Sequence, residues 1–63
     1  MKTHVSYNGF LQRINGVVSS VNELPFNALF VSTGRLVNPR GSYDAAPRVT
    51  LYSTPNGYVA VHV

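Results

Sequence analysis

Apolar side chains recur with helical spacing in residues 10–24. When successive residues are placed about 100° apart, as on an α-helix, the apolar side chains fall within an arc of about 140° and polar side chains fill the rest. The apolar set is Phe10, Leu11, Ile14, Val17, Val18, Val21 and Leu24. The pattern predicts an amphipathic helix that begins as early as Val5 and ends at Pro25.

The same segment has a second interpretation. Asn8-Gly9 is a typical two-residue hairpin turn, because both residues tolerate positive φ. In that case residues 4–7 and 10–14 are paired strands. Gly16 and the three valines that follow are also mediocre helix formers, so a helix here depends on packing for its stability. We favour the helix and keep the hairpin as the alternative.

The second half of the chain has the composition of strands. Residues 26–32 form an aromatic and β-branched run that ends at Thr33-Gly34, which predicts a strand and a turn, and Leu36-Val37 continues as a short return strand. Residues 38–47 contain two prolines and a glycine and predict a loop. Residues 48–53 and 58–63 are β-rich, and the Thr54-Pro55-Asn56-Gly57 segment between them predicts a C-terminal hairpin.

Together these elements predict an α+β fold in a single small domain that spans residues 1–63. One amphipathic N-terminal helix packs on a small antiparallel sheet of three or four strands, and the alternative is an all-β small barrel. In the helical fold, the helix contacts the sheet through Leu51 and through Leu29, Phe30 or Val31. The helix residues expected in that core are Phe10, Ile14, Val17 and Val21.

The C-terminal hairpin is apolar on both faces. One face carries Thr50, Tyr52, Thr54, Val59, Val61 and Val63, and the other carries Val49, Leu51, Ser53, Tyr58, Ala60 and His62. A single helix covers only one face of a sheet. We therefore expect a homo-oligomer or an obligate protein partner to cover the second face.

Composition narrows the class of protein. The chain is 44% hydrophobic and only 11% charged, and five Lys and Arg residues against two acidic residues give a net charge of +3, which favours an anionic partner. The absence of cysteine excludes disulfides and thiolate sites. No run of residues resembles a signal-peptide core or approaches the roughly 18 apolar residues of a membrane span. We expect a cytoplasmic protein that does not enter a membrane.

The chemical groups that an enzyme needs are few. Two histidines and two well-separated acids make a metal site hard to complete, and neither a Gly-x-Ser-x-Gly elbow nor a glycine-rich phosphate loop is present. We expect a protein that is not an enzyme, with no catalytic residue, no cofactor and no metal.

The remaining candidate site is the basic stretch of residues 34–48. It contains Arg35, Arg40 and Arg48 together with Tyr43. Guanidinium groups bind phosphates and a tyrosine ring stacks on a base, so these four residues predict a small basic module that binds nucleic acid through an arginine-rich loop, with Lys2 and Arg13 as further phosphate contacts. The simplest interpretation of the stretch is a solvated loop whose arginines keep the protein soluble. The alternative function is a protein-binding module, either an inhibitor or an assembly subunit, that acts through an apolar sheet face.

Overall fold

The described parts of the chain are built from strands. A computed structural model describes residues 3–38 and 46–63, and in these two ranges the only helical element is one 3-10 turn. The elements are β1 (His4–Tyr7), β2 (Phe10–Arg13), β3 (Gly16–Val18), the 3-10 turn (Val21–Glu23), β4 (Leu29–Val37), β5 (Arg48–Thr54) and β6 (Gly57–His62).

The six strands form one mixed sheet in the order β2-β1-β4-β5-β6-β3. Each neighbouring pair is antiparallel except β3 and β6, which run parallel. The first and last strands of this order are neighbours in the chain, because only Ile14 and Asn15 separate β2 from β3.

That short connection closes the sheet into a barrel. In a flat sheet the first and sixth strands would lie about 24 Å apart, at about 4.8 Å per strand spacing. The chain from Arg13 to Gly16 reaches at most about 11 Å, so the two edges must curl toward each other. At the crossing, the Ile14 N–H donates to the Thr3 carbonyl oxygen at 2.9 Å and the Asn15 N–H donates to the Tyr58 carbonyl oxygen at 2.8 Å. Residues 10–18 therefore act as one bent strand that joins β1 to β6.

The closed sheet encloses its own core. Tyr7, Val31 and Tyr58 are partly buried and pack against a central cluster of buried side chains, which consists of Val5, Ile14, Leu36, Val49, Leu51 and Ala60. Val5, Val49, Leu51 and Ala60 are each 0% exposed. A barrel buries its inner face without a covering layer, since the opposite strands supply the contacts.

The predicted α+β class is therefore wrong. Residues 10–24 form β2, β3 and the 3-10 turn, and the sheet has six strands with one parallel pair. Of the helix residues expected in the core, only Ile14 belongs to it, because Phe10, Val17 and Val21 are 67%, 37% and 50% exposed. The alternative hairpin is the observed structure, with Asn8 and Gly9 at φ of 47° and 81° and with Tyr7 opposite Phe10.

The C-terminal hairpin is confirmed. β5 and β6 pair from Val49 opposite His62 to Thr54 opposite Gly57, and the two faces contain the residues that the alternation predicts. The strand predicted at residues 26–32 begins later, and no turn occurs at Thr33-Gly34, because β4 is one continuous strand from Leu29 to Val37.

The reason for expecting an external partner also changes, since the barrel itself encloses one of the two apolar faces of the hairpin. An oligomer or an obligate partner stays a prediction.

Candidate functional site

Two of the predicted site residues lie side by side on the outside of the barrel. Arg35 on β4 is directly opposite Arg48 on β5, and Ser6 on β1 is opposite Arg35 on its other side. Side chains alternate between the two faces of a strand. Because the neighbouring Leu36 and Val49 belong to the core, Arg35 and Arg48 face outward, and both are exposed.

The register extends this arrangement along β4 and β5. Thr33 is opposite Thr50, and Phe30 is opposite Tyr52. Arg48 and Tyr52 are four residues apart in an extended strand, so the ends of the arrangement are separated by about 14 Å. We call this surface the outer strip, which consists of Arg35, Arg48, Thr33, Thr50, Phe30 and Tyr52.

A β-bulge determines which aromatic residue joins the outer strip. The register shifts between Phe30 and Ser32, so Val31 has no direct partner on β5. Val31 packs against the core, whereas Phe30 is 61% exposed. Regular alternation would place Phe30 on the same side as Ser32, which is opposite the core residue Leu51. The bulge instead turns Phe30 outward, where its ring meets that of Tyr52 edge to face at 6.0 Å between centroids.

A shallow polar depression lies at the arginine end of the outer strip. It has a volume of about 240 Å³ and is lined by Ser6, Tyr7, Asn8, Thr33, Gly34, Arg35 and Arg48. Gly34 allows β1 to approach β4 closely here, because a Cβ atom at this position would collide with the Ser6 carbonyl oxygen. Guanidinium and hydroxyl donors in one concave surface are the groups that bind phosphate or another oxyanion.

Arg35 and Arg48 carry like charges directly opposite each other on adjacent strands. Like charges directly opposite each other on antiparallel strands are destabilising. The Arg35 Nη1 group donates to the Ala46 carbonyl oxygen at 3.0 Å, which orients one guanidinium but adds no negative charge. Glu23 is the only acidic side chain in residues 3–38 and 46–63, and it accepts the Ser19 and Ser20 N–H groups at 2.9 and 3.0 Å. A bound anion would relieve the repulsion between the arginines.

The structure brings together Arg35 and Arg48 from the predicted site. Both lie on strands rather than in a loop. Arg40, Tyr43 and Lys2 lie outside the described residues. Arg13 is exposed on β2, opposite His4 and separated from β4 by the whole of β1. Arg13 is thus apart from the arginine pair.

Sequence reasoning missed the hydroxyl and aromatic members of the outer strip. The sequence pattern already placed Thr50 and Tyr52 on one face of the hairpin, and Arg48, two residues before Thr50, continues that face by the same alternation. Phe30 could not be placed there from the sequence, because alternation without a bulge turns it to the other face.

Comparison with known proteins adds no further constraint. No protein-family model, curated protein or solved structure matches the chain. In the part of the chain that the structure describes, no helix has the length and apolar character needed to cross a membrane.

Proposed function

We propose that the protein is a non-enzymatic module that binds nucleic acid through the outer face of β4 and β5. The observation that carries the proposal is the direct cross-strand pairing of Arg35 with Arg48 beside a polar depression. Two guanidinium groups that repel each other on a common surface are stabilised by a ligand with closely spaced negative charges. A phosphodiester backbone is such a ligand.

The net charge and the scaffold support this proposal. A formal charge of +3 attracts a polyanion over distances longer than a single contact. Some small β-barrels bind oligonucleotides on a strand face. Because fold alone does not determine function, the proposal rests on the arginine pair. A cytoplasmic location, where nucleic acid is accessible, belongs to the same proposal.

The second candidate function is protein binding through apolar surface on the outside of the barrel. The observation in its favour is a group of exposed side chains close together in the chain, in which Phe26, Leu29 and Phe30 are 102%, 69% and 61% exposed. Such a surface fits a protein partner or a second copy of the chain. In that case the positive charge serves only solubility.

Salt-dependent binding tests the proposed function. We expect Kd for a fluorescent oligonucleotide to increase steeply from 50 to 200 mM salt, because phosphate contacts release counterions. Arg48→Gln is the preferred variant, because a change at Arg35 would also remove its hydrogen bond to the Ala46 carbonyl oxygen. It should reduce the slope of log K against log salt by about 0.7 for a single strand or about 0.9 for a duplex.

Arg13→Gln is the matched control, because it removes the same charge from an exposed site on β2. Its salt slope should stay close to that of the parent protein. The proposal fails if the parent shows no salt-sensitive binding, or if Arg13→Gln and Arg48→Gln reduce the slope equally. Absence of nucleic-acid binding together with loss of a protein partner in Phe26→Ser would favour the second candidate.

A further inference from the structure

The geometry of the outer strip points to single-stranded nucleic acid as the ligand. We propose that a base stacks on the Phe30–Tyr52 aromatic pair while phosphates farther along the same strand lie at Arg35 and Arg48. This inference rests on the proposed function and adds to the arginine pair an aromatic subsite that binds a base.

The aromatic pair carries the inference because the bulge places it on the outside. Val31 takes the position against the core, and Phe30 is left 61% exposed although a regular strand would turn it to the inner side. The Phe30 ring contacts Tyr52 edge to face, with an angle of 81° between the ring planes. This contact orients both rings and leaves most of Phe30 open to a ligand.

A duplex cannot use both ends of the outer strip. Its phosphates are accessible to the arginines, but its bases are stacked on each other and present only their edges in the grooves. An aromatic side chain stacks on a base that is unstacked and splayed out, which is the usual state in single strands and loops. The arginine pair therefore fits either form of nucleic acid, whereas the aromatic pair selects a single strand.

The dimensions and the intervening residues agree with this arrangement. The 14 Å between the two ends corresponds to about four nucleotides at the stacked spacing of about 3.4 Å, and to fewer in an extended strand. Thr33 and Thr50 lie between the arginines and the aromatic rings. Their hydroxyl groups can donate to phosphate or to base edges along the path. Single-stranded DNA and RNA share this chemistry, so both are included in the test.

The test compares two phenylalanine variants on three probes. The probes are fluorescent twelve-nucleotide dT and rU strands and a twelve-base-pair DNA duplex. Phe30→Leu removes the ring from the outer strip and keeps an apolar side chain. Phe26→Leu is the matched control, because Phe26 is 102% exposed and lies outside the strip. Thermal melting of both variants verifies that they fold.

We expect the parent protein to bind dT or rU more tightly than the duplex. Phe30→Leu should weaken single-strand binding by about 5- to 150-fold, the range that corresponds to the loss of one stacking contact. Its duplex binding and its salt slope should not change, and Phe26→Leu should match the parent on all three probes. In the parent, NMR signals of the Phe30 and Tyr52 rings should shift when dT or rU is added and should not shift with inorganic phosphate.

Three results would overturn the inference and leave the proposed function intact. They are equal affinity of the parent for duplex and single strands, single-strand binding by Phe30→Leu as tight as that of the parent, and equal weakening by the two phenylalanine variants. In each case Arg48→Gln would still reduce the salt slope. If neither a single strand nor the duplex binds, the proposed function fails together with the inference.

Discussion

The two faces of the β4–β5 ladder are made from alternate residues of the same strands, and they have opposite character. On the inner face Val49 and Leu51 are 0% exposed and belong to the core. On the outer face Arg48 is exposed and Thr50 and Tyr52 are partly buried. Because side chains alternate along one strand, an outer-face substitution changes the ligand surface without removing a core side chain. Outer-face variants can therefore test ligand binding with the core intact.

The partners on β4 show how the two faces differ in shape. The inner partners of Val49 and Leu51 are Gly34 and Ser32, which are small, whereas the outer strip receives Arg35, Thr33 and Phe30. Small residues inside β4 leave room for the larger side chains of β1 and β5, as expected for a close-packed core.

The largest expected effect is on the inner face, at Leu51. Leu51→Ala should reduce the free energy of unfolding by about 2–5 kcal/mol, because it leaves a cavity at a fully buried site. A chain of this length has a total stability of about 3–9 kcal/mol, so the variant loses a substantial fraction of it and should unfold at a clearly lower urea concentration than the parent. Urea unfolding followed by circular dichroism measures the change. Leu29→Ala makes the same substitution at a side chain that is 69% exposed, and it should stay within about 0.5 kcal/mol of the parent. Similar losses in both variants would contradict the burial of Leu51 and the exposure of Leu29.

A smaller loss is expected at Gly34. A Cβ atom there would collide with the Ser6 carbonyl oxygen and lie 2.8 Å from the Val5 Cγ1 atom. Gly34→Ala should therefore destabilise the barrel by about 1–3 kcal/mol, since β1 and β4 must separate. Gly16→Ala is the control, because nothing lies within 4 Å of its added Cβ atom. We expect Gly16→Ala to be neutral or slightly stabilising. A melting temperature of Gly34→Ala at or above that of Gly16→Ala would show that β1 and β4 are not so close.

The smallest effect is expected on the outer face, with the opposite sign. Arg48→Gln removes one of two like charges that face each other, and it should stabilise the fold by about 0.2–1 kcal/mol at low salt. The gain should disappear near 1 M salt, where the Debye length is about 3 Å. Urea unfolding at both salt concentrations measures it. If Arg48→Gln destabilises the protein, the pair contributes to folding and the argument for a bound anion is lost.

The wrongly predicted helix has a specific cause in the bent strand. Ile14 belongs to the core, and Val17, three residues later, is paired with the core residue Ala60 and thus lies on the same side of the sheet. A regular strand would place residues three apart on opposite faces. At Ile14 and Asn15 the chain stops pairing with β1 and starts pairing with β6, and there the alternation of inward and outward side chains shifts by one residue. Ile14 and Val17 therefore point to the same side although they are three residues apart, which is the spacing expected in a helix. The Asn8-Gly9 turn was the local evidence against a helix.

The sequence by itself determined the C-terminal hairpin, its two faces, and the excess of positive charge. These features depend on neighbouring residues and on the turn chemistry of Pro55, Asn56 and Gly57, so no distant contact is needed to specify them. Only the tertiary structure decided the closure of the barrel, the bulge at Val31, and the pairing of Arg35 with Arg48. The bulge and the arginine pair depend on the register between β4 and β5, which are joined by a long connection. The closure depends on the pairing of β3 with β6, which are far apart in the chain. These registers are selected by how completely the whole sheet buries its inner face, which a local pattern does not contain.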